Sequence, residues 1–269
     1  MSQQLGVPVE ILAVGHELVR GHRVDTNSAW LAARLPGLGG RVTRITVVDD
    51  DPPAIAREIR HARANGAALV VTSGGLGPTF DDRTLVGVAA GFGRGLREHP
   101  TALAAVARRY AELAAQGAVT DGTLTPERRK MAQLPEGADF IENTVGTAPG
   151  VLLATPAFAV LCVPGVPFEM QALFEAASDR IAARLGTPVF LAEREVASGC
   201  GDESRITTLA ERLMATHPTV HVKSLPTAFA PECDLRVRLT ACGGTALEAE
   251  ERVAAAATAL TAMLRTLKE

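Results

Sequence analysis

The sequence predicts an α/β protein, a three-layer domain built on a parallel sheet and followed by a small α+β module. Three observations carry this expectation. Short unbroken apolar runs rich in β-branched residues alternate with stretches of helical spacing over residues 1–185, the pattern of parallel strands joined by crossover helices. A glycine-rich segment, Thr72-Ser73-Gly74-Gly75-Leu76-Gly77-Pro78-Thr79, follows one of these runs directly. Over residues 186–269 the order changes to strand, helix, two strands, helix.

Residues 9–14 (VEILAV) form the first strand, and residues 27–35 set Trp30, Leu31 and Leu35 at helical spacing. Residues 41–48 read as a strand, 52–64 as a helix and 67–72 as a strand, with the glycine loop and a helix from about Asp82 after it. Helices over 100–115 and 126–133 precede residues 134–150, which are rich in Pro, Gly and Asn and are expected to be a functional loop. Residues 157–163 (AFAVLCV) supply a further buried strand, closed by Pro164-Gly165-Val166-Pro167 and one helix to about Leu185. The second module is expected to hold strands over 189–196, 219–224 and 234–240, with helices over 202–215 and from Thr245.

The composition belongs to a globular chain: 47% of residues are hydrophobic and 21% charged, enough to bury a sizeable core. With only 4% aromatic residues the core is aliphatic and offers few rings for base stacking. A net charge of −3 gives no global attraction to nucleic acid or to an anionic membrane. Residues 186–269 carry nine Lys or Arg against eleven Asp or Glu, which also argues against a nucleic-acid partner. Cys162, Cys200, Cys233 and Cys242 have neither CxxC spacing nor a neighbouring His pair, so they read as small buried hydrophobes. No charged start followed by an apolar stretch and no membrane-length run is present, so a cytoplasmic protein is expected.

Glycines between a buried strand and a helix let backbone approach a ligand, and the helix start offers free N–H groups to phosphate. Parallel sheets bind ligands beyond the carboxyl ends of their strands. There the glycine loop would meet the loops after Val14, Val48 and Val163, bringing His16, Glu17, Asp25 and Asn27, then Asp49, Asp50 and Asp51, then Asp81 and Asp82. Carboxylates beside phosphates repel unless a divalent cation lies between them. A blander reading stands beside this one: Asp81 or Asp82 as a helix cap, and Asp49 to Asp51 as a solvated turn.

These motifs resemble the competence/damage-inducible protein A (CinA) family, whose first domain has the molybdopterin-binding fold of the MoaB and MogA proteins. The resemblance runs through VGHELVRG (14–21), Asp25-Thr26-Asn27, Val48-Asp49-Asp50, GGLGPTFDDRT (74–84), LPEGADFIENTVGTAPG (134–150) and VPGVPFEM (163–170). It continues more faintly into GCGDES (199–204) and Lys223-Ser224-Leu225-Pro226, which look like a KH-type module. Many full-length relatives carry a further domain that deamidates nicotinamide mononucleotide; these 269 residues leave no room for it, so that activity is not expected.

The resemblance implies a site for ADP-ribose or a similar nucleotide, with metal-dependent hydrolysis of its pyrophosphate. By motif position Asp50 and Asp82 would be the catalytic and metal-binding acids, with Mg²⁺ or a similar divalent ion as cofactor and K⁺ as a further candidate. Glu17, Asp25, Asn27, Gly74, Gly75, Gly77, Thr79 and Asp81 would contact the ligand, with Gly146, Thr147, Pro164 and Gly165 opposite. The alternatives are molybdopterin binding with adenylyl transfer, against which Asp81 stands where those relatives have Arg, and a nucleotide-binding module without turnover. A homo-oligomer, a dimer first, follows from family habit. Two residues depart from the family pattern: His16 stands in place of Asp or Asn, and Asp49 in place of Gly.

Overall fold

The computed structural model describes residues 6–225 and 235–266. Pro226, Cys233 and Asp234, which figured in the expectations above, lie outside them. The chain divides into two compact units, Val7–Gly186 and the described residues from Thr187 onward.

The first unit runs β1 (Val7–Val14), α1 (His16–Val19), α2 (Thr26–Arg34), β2 (Gly40–Val48), α3 (Pro52–Ala64), β3 (Leu69–Ser73), α4 (Thr84–Phe92) and β4 (Leu96–Glu98). It continues with α5 (Pro100–Ala115), α6 (Pro126–Lys130), β5 (Gln133–Pro135), β6 (Asp139–Ile141), β7 (Gly150–Ala154), β8 (Ala159–Val163), α7 (Pro167–Ala176) and α8 (Ser178–Leu185). Six strands form the central sheet in the order β2-β1-β3-β8-β7-β6. The neighbours β2, β1, β3 and β8 are parallel, whereas β7 runs antiparallel to both β8 and β6.

Side chains alternate across each strand, so the sheet has two apolar faces. Leu12, Val14, Val70, Val160 and Cys162 point with Ile55, Ile59, Leu85 and Val88 of α3 and α4 into one core. Ile11, Leu69, Val71, Leu161 and Val163 point with Leu31 of α2, Leu173 and Phe174 of α7 and Ile181 of α8 into the other. The domain is therefore three-layered and mostly parallel.

Four local expectations are corrected. Helix α4 starts at Thr84, not near Asp82, and its N-cap residue Arg83 makes no capping side-chain bond, so neither Asp81 nor Asp82 caps it. Helix α6 ends at Lys130, because Met131 and Ala132 turn into the core ahead of β5 and Leu134 follows them within it. The expected loop over 134–150 contains β6 and the start of β7, strands too short to announce themselves by periodicity. The hairpin from β7 to β8 closes on Thr155, whose N–H donates to the Phe158 carbonyl at 2.8 Å and whose hydroxyl accepts from the Phe158 N–H at 3.1 Å. The single helix expected up to residue 185 is two, α7 and α8, separated at Ala177.

The second unit is a small α+β module: β9 (Phe190–Ala197), α9 (Glu203–Thr216), β10 (Val220–Leu225), β11 (Arg236–Gly243) and α10 (Ala246–Thr266). Its antiparallel sheet has the order β10-β11-β9, and Val237, Leu239 and Ala241 of the middle strand pack on Leu209, Leu213, Val253 and Leu260 of the two helices. Cys162, Cys200 and Cys242 are free thiols, and burial pushes the Cys162 pKa up to about 12. Among the described residues no helix is long and apolar enough to cross a membrane.

Candidate functional site

The carboxyl ends of β1, β3 and β8 meet at Gly74, and that of β2 is tied in beside them by the Gly15 N–H, which donates to the Val48 carbonyl at 3.0 Å. The Gly74 N–H donates to the Val163 carbonyl at 3.0 Å, and a Cβ on Gly74 would stand 2.1 Å from the Val14 carbonyl oxygen. A Cβ on Gly165 would touch the Gly74 Cα at 3.4 Å. Gly74 and Gly75 both have positive φ, 111° and 66°. Thr84 fastens the loop from below, its hydroxyl donating to the Gly74 carbonyl at 2.8 Å and its N–H to the Gly75 carbonyl at 3.1 Å. With these bonds made, the N–H groups of Gly75, Leu76 and Gly77 have no acceptor among the described residues. Successive unpaired amides of this kind form an anion-binding concavity.

The acids sit around this concavity with different degrees of freedom. Asp82 accepts through one oxygen from the Thr79 N–H at 2.9 Å and the Thr79 hydroxyl at 2.6 Å, which shapes the loop; that hydroxyl also contacts Asp81. A Cβ on Gly77 would press against the same Asp82 oxygen at 2.6 Å. Asp50 accepts the His16 N–H on one oxygen at 2.9 Å, and its other oxygen lies 3.2 Å from the position a Cβ on Gly75 would take. Asp51, by contrast, is the N-cap of α3 and accepts from the Ala54 N–H at 3.1 Å. Among the described residues no group of three or more His, Cys, Asp or Glu side chains is arranged to hold a metal ion.

A second part of the site is a crevice of about 270 Å³ lined by Glu17, Arg23, Asp25, Asn27, Ser73 and Gly165 among others. Asn27 spans it, its amide donating to the Ser73 hydroxyl and to the Gly165 carbonyl, both at 2.9 Å, while its Oδ1 is buried without a partner. Asp25 caps α2 through the Ser28 N–H at 2.9 Å. The Ser73 hydroxyl donates to the Pro164 carbonyl at 3.3 Å, which ties β3 to the loop after β8. Gly146 packs where a Cβ would collide with Glu169 in the first turn of α7. Thr147 lines a separate cleft with Arg108, Arg109 and Asn143 that shares no residue with the Asn27 crevice.

Sequence reasoning missed Lys130. From the end of α6 it reaches the glycine loop and donates to the Thr79 carbonyl; burial pulls its pKa below the ordinary lysine value, against the opposing pull of Asp82 and Asp81. Its segment, Pro126–Lys130, is four-fifths charged and reads from sequence as a solvated helix face.

Burial raises the Asp50 pKa, and Glu17, Asp81 and Asp49 push it the same way against the His16 N–H. A carboxyl whose pKa is higher in the folded chain binds more protons there, so its contribution to stability falls as pH rises from the unfolded value through the folded one. Asp50→Asn, which keeps an acceptor for the His16 N–H, is therefore expected to raise the melting temperature at neutral pH. The gain should vanish below the usual aspartate pKa of about 4. Thermal melts across that range check it, and a gain independent of pH would contradict the electrostatic cause.

The domain that carries these residues is similar to known proteins. Residues 10–183 match the model described as "Probable molybdopterin binding domain". A protein of Aeropyrum pernix is 41% identical over 216 residues, covering 80% of this chain and 78% of that one. A CinA-like protein of Parasynechococcus marenigrum is 38% identical over 241 residues, covering 88% of this chain and 54% of its own length. The crystal structure of the protein CinA from Thermoplasma acidophilum, described there as of unknown function, superposes with a TM-score of 0.59 at 41% identity and covers 65% of this chain and 97% of that one. The chain thus belongs to the probable molybdopterin-binding domain family, among its CinA-type members.

Proposed function

We propose that the first domain binds a molybdopterin-type ligand, a phosphate-bearing pterin or its nucleotide-linked form, with the phosphate on the amides of Gly75, Leu76 and Gly77. The observation that carries this reading is the unpaired state of those three amides in a loop packed so closely that a Cβ on Gly75 would meet the Thr84 hydroxyl at 2.2 Å and one on Gly77 the Asp82 carboxylate at 2.6 Å. Lys130 adds a cation beside the loop, and the family description supports the pterin. The Asn27 crevice, with its unpartnered Oδ1, offers an acceptor to a ligand N–H or hydroxyl.

A divalent ion fits here only together with such a ligand. Asp82 and Asp50 each commit one oxygen to the protein, leaving one apiece, whereas Mg²⁺ is commonly held by one or two carboxylates plus phosphate oxygens and water. Bound in that way it would neutralise charge between acids and phosphate. A second reading, hydrolysis of an ADP-ribose-like pyrophosphate, draws on the free Asp50 oxygen beside the loop.

Calorimetric titration with inorganic pyrophosphate, AMP and a phosphate-bearing pterin, with and without Mg²⁺, tests the reading. Lys130→Ala is expected to weaken each by about tenfold, the loss of one hydrogen bond to a charged group. No binding of any of the three would refute the site. In a parallel incubation with ADP-ribose and Mg²⁺, ADP-ribose recovered intact would remove the hydrolytic reading, and release of AMP and ribose phosphate would put it first.

A further inference from the structure

His16, which follows β1, and Asp49, which follows β2, touch each other. His16 Nδ1 lies 3.2 and 3.1 Å from the two carboxylate oxygens of Asp49, and one of those oxygens also accepts the Asp50 N–H at 2.8 Å. A carboxylate only accepts, so Nδ1 carries the proton and the ring plane is fixed. The Nε2 edge has no partner among the described residues, and the His16 side chain is 56% exposed. An exposed pair of this kind contributes little to stability, so the fold does not explain it. Its position is informative: a single carboxyl group, that of Asp50, separates the His16 backbone from the glycine loop.

We propose that the Asp49–His16 pair is a specificity element of this site, which recognises a hydroxyl on the ligand next to its phosphate and so selects sugar phosphates. This rests on the phosphate-site reading above. Nε2 can accept from a hydroxyl when it bears a lone pair and donate to one when it bears a proton, whereas a phosphate oxygen, which only accepts, matches one of the two states. Asp49 acts through His16 as a positioning residue, much as an outer-shell carboxylate orients a functional imidazole. Asp25 caps α2, and Asn27 and Asp50 are each held by a partner and offer a free oxygen that only accepts, whereas the His16 Nε2 edge, held by Asp49, is the one of these groups that can either accept or donate.

The test uses AMP, 2′,3′-dideoxy-AMP and inorganic pyrophosphate as calorimetric probes of the full chain. The protein should prefer AMP over its dideoxy analogue by roughly three- to tenfold, the range of one net hydrogen bond. His16→Ala should abolish that preference and leave pyrophosphate affinity unchanged, while His16→Gln, which keeps a donor and an acceptor, should restore part of it. Asp49→Ala should reduce the preference and add nothing in the presence of His16→Ala. If pyrophosphate binds but AMP and dideoxy-AMP bind equally, or if His16→Ala keeps the preference, the phosphate site stands and this proposal falls. If no probe binds, both fall.

Discussion

Gly74→Ala is expected to cost the first domain about 2–5 kcal/mol, the sum of backbone strain and overpacking. The φ of +111° disfavours any L side chain, and the new Cβ would meet the Val14 carbonyl oxygen at 2.1 Å. Neither side can yield: Val14 ends a core strand, and the Gly74 N–H is tied to the Val163 carbonyl. Gly66→Ala is the control, since it also has positive φ, +80°, but nothing within 4 Å of the added Cβ, and it should cost only about 1 kcal/mol. Urea unfolding of the two variants measures the difference. Equal costs would mean that the convergence of strand ends on Gly74 is looser than described, and the phosphate cradle with it.

Arg44→Met should destabilise the same domain by about 1–3 kcal/mol, less than the cost of breaking a fully buried ion pair, because the arginine side chain is 33% exposed. The guanidinium lies between Glu10 on β1, at 2.9 Å, and Glu58 on α3, at 2.8 Å, whose side chains are 7% and 16% exposed. Methionine covers a similar length of sheet but leaves Glu10 without its counter-charge and Glu58 with only the exposed Arg57, at 3.4 Å. Adding Glu10→Gln to Arg44→Met should recover part of the loss, because one of those charges goes. Chemical unfolding midpoints decide it, and a double variant no more stable than the single one would point to lost packing by the arginine stem.

The layered α/β domain was legible because its signals are local. The runs around Val70 and Val160 are apolar on both faces, and strands buried on both sides need that composition whatever their neighbours are. The strands β6 and β7 were not legible: they are short and follow a segment rich in Pro, Gly and Asn, and they form because β7 pairs with the open edge of β8 and β6 then pairs with β7. Helix starts were misjudged for a related reason. Asp82 has the residue type of a cap, yet its carboxylate is taken by Thr79, and α4 begins two residues later without a side-chain cap.

Which segments could approach a phosphate is readable from residue type alone, because Gly74, Gly75 and Gly77 lack a Cβ and tolerate positive φ whatever surrounds them, a freedom that Gly74 and Gly75 use. The sequence also determined that acids would gather at the strand ends. Only the tertiary structure decided what each acid does: Asp51 and Asp25 cap helices, Asp82 shapes the loop, and Asp50 alone keeps an oxygen beside Gly75. It alone brought Lys130 across 51 residues to the Thr79 carbonyl and set His16 on Asp49. The physical reason is that a residue type limits the bonds a side chain can make, whereas the groups within 3 Å of it are chosen by the packing of distant segments.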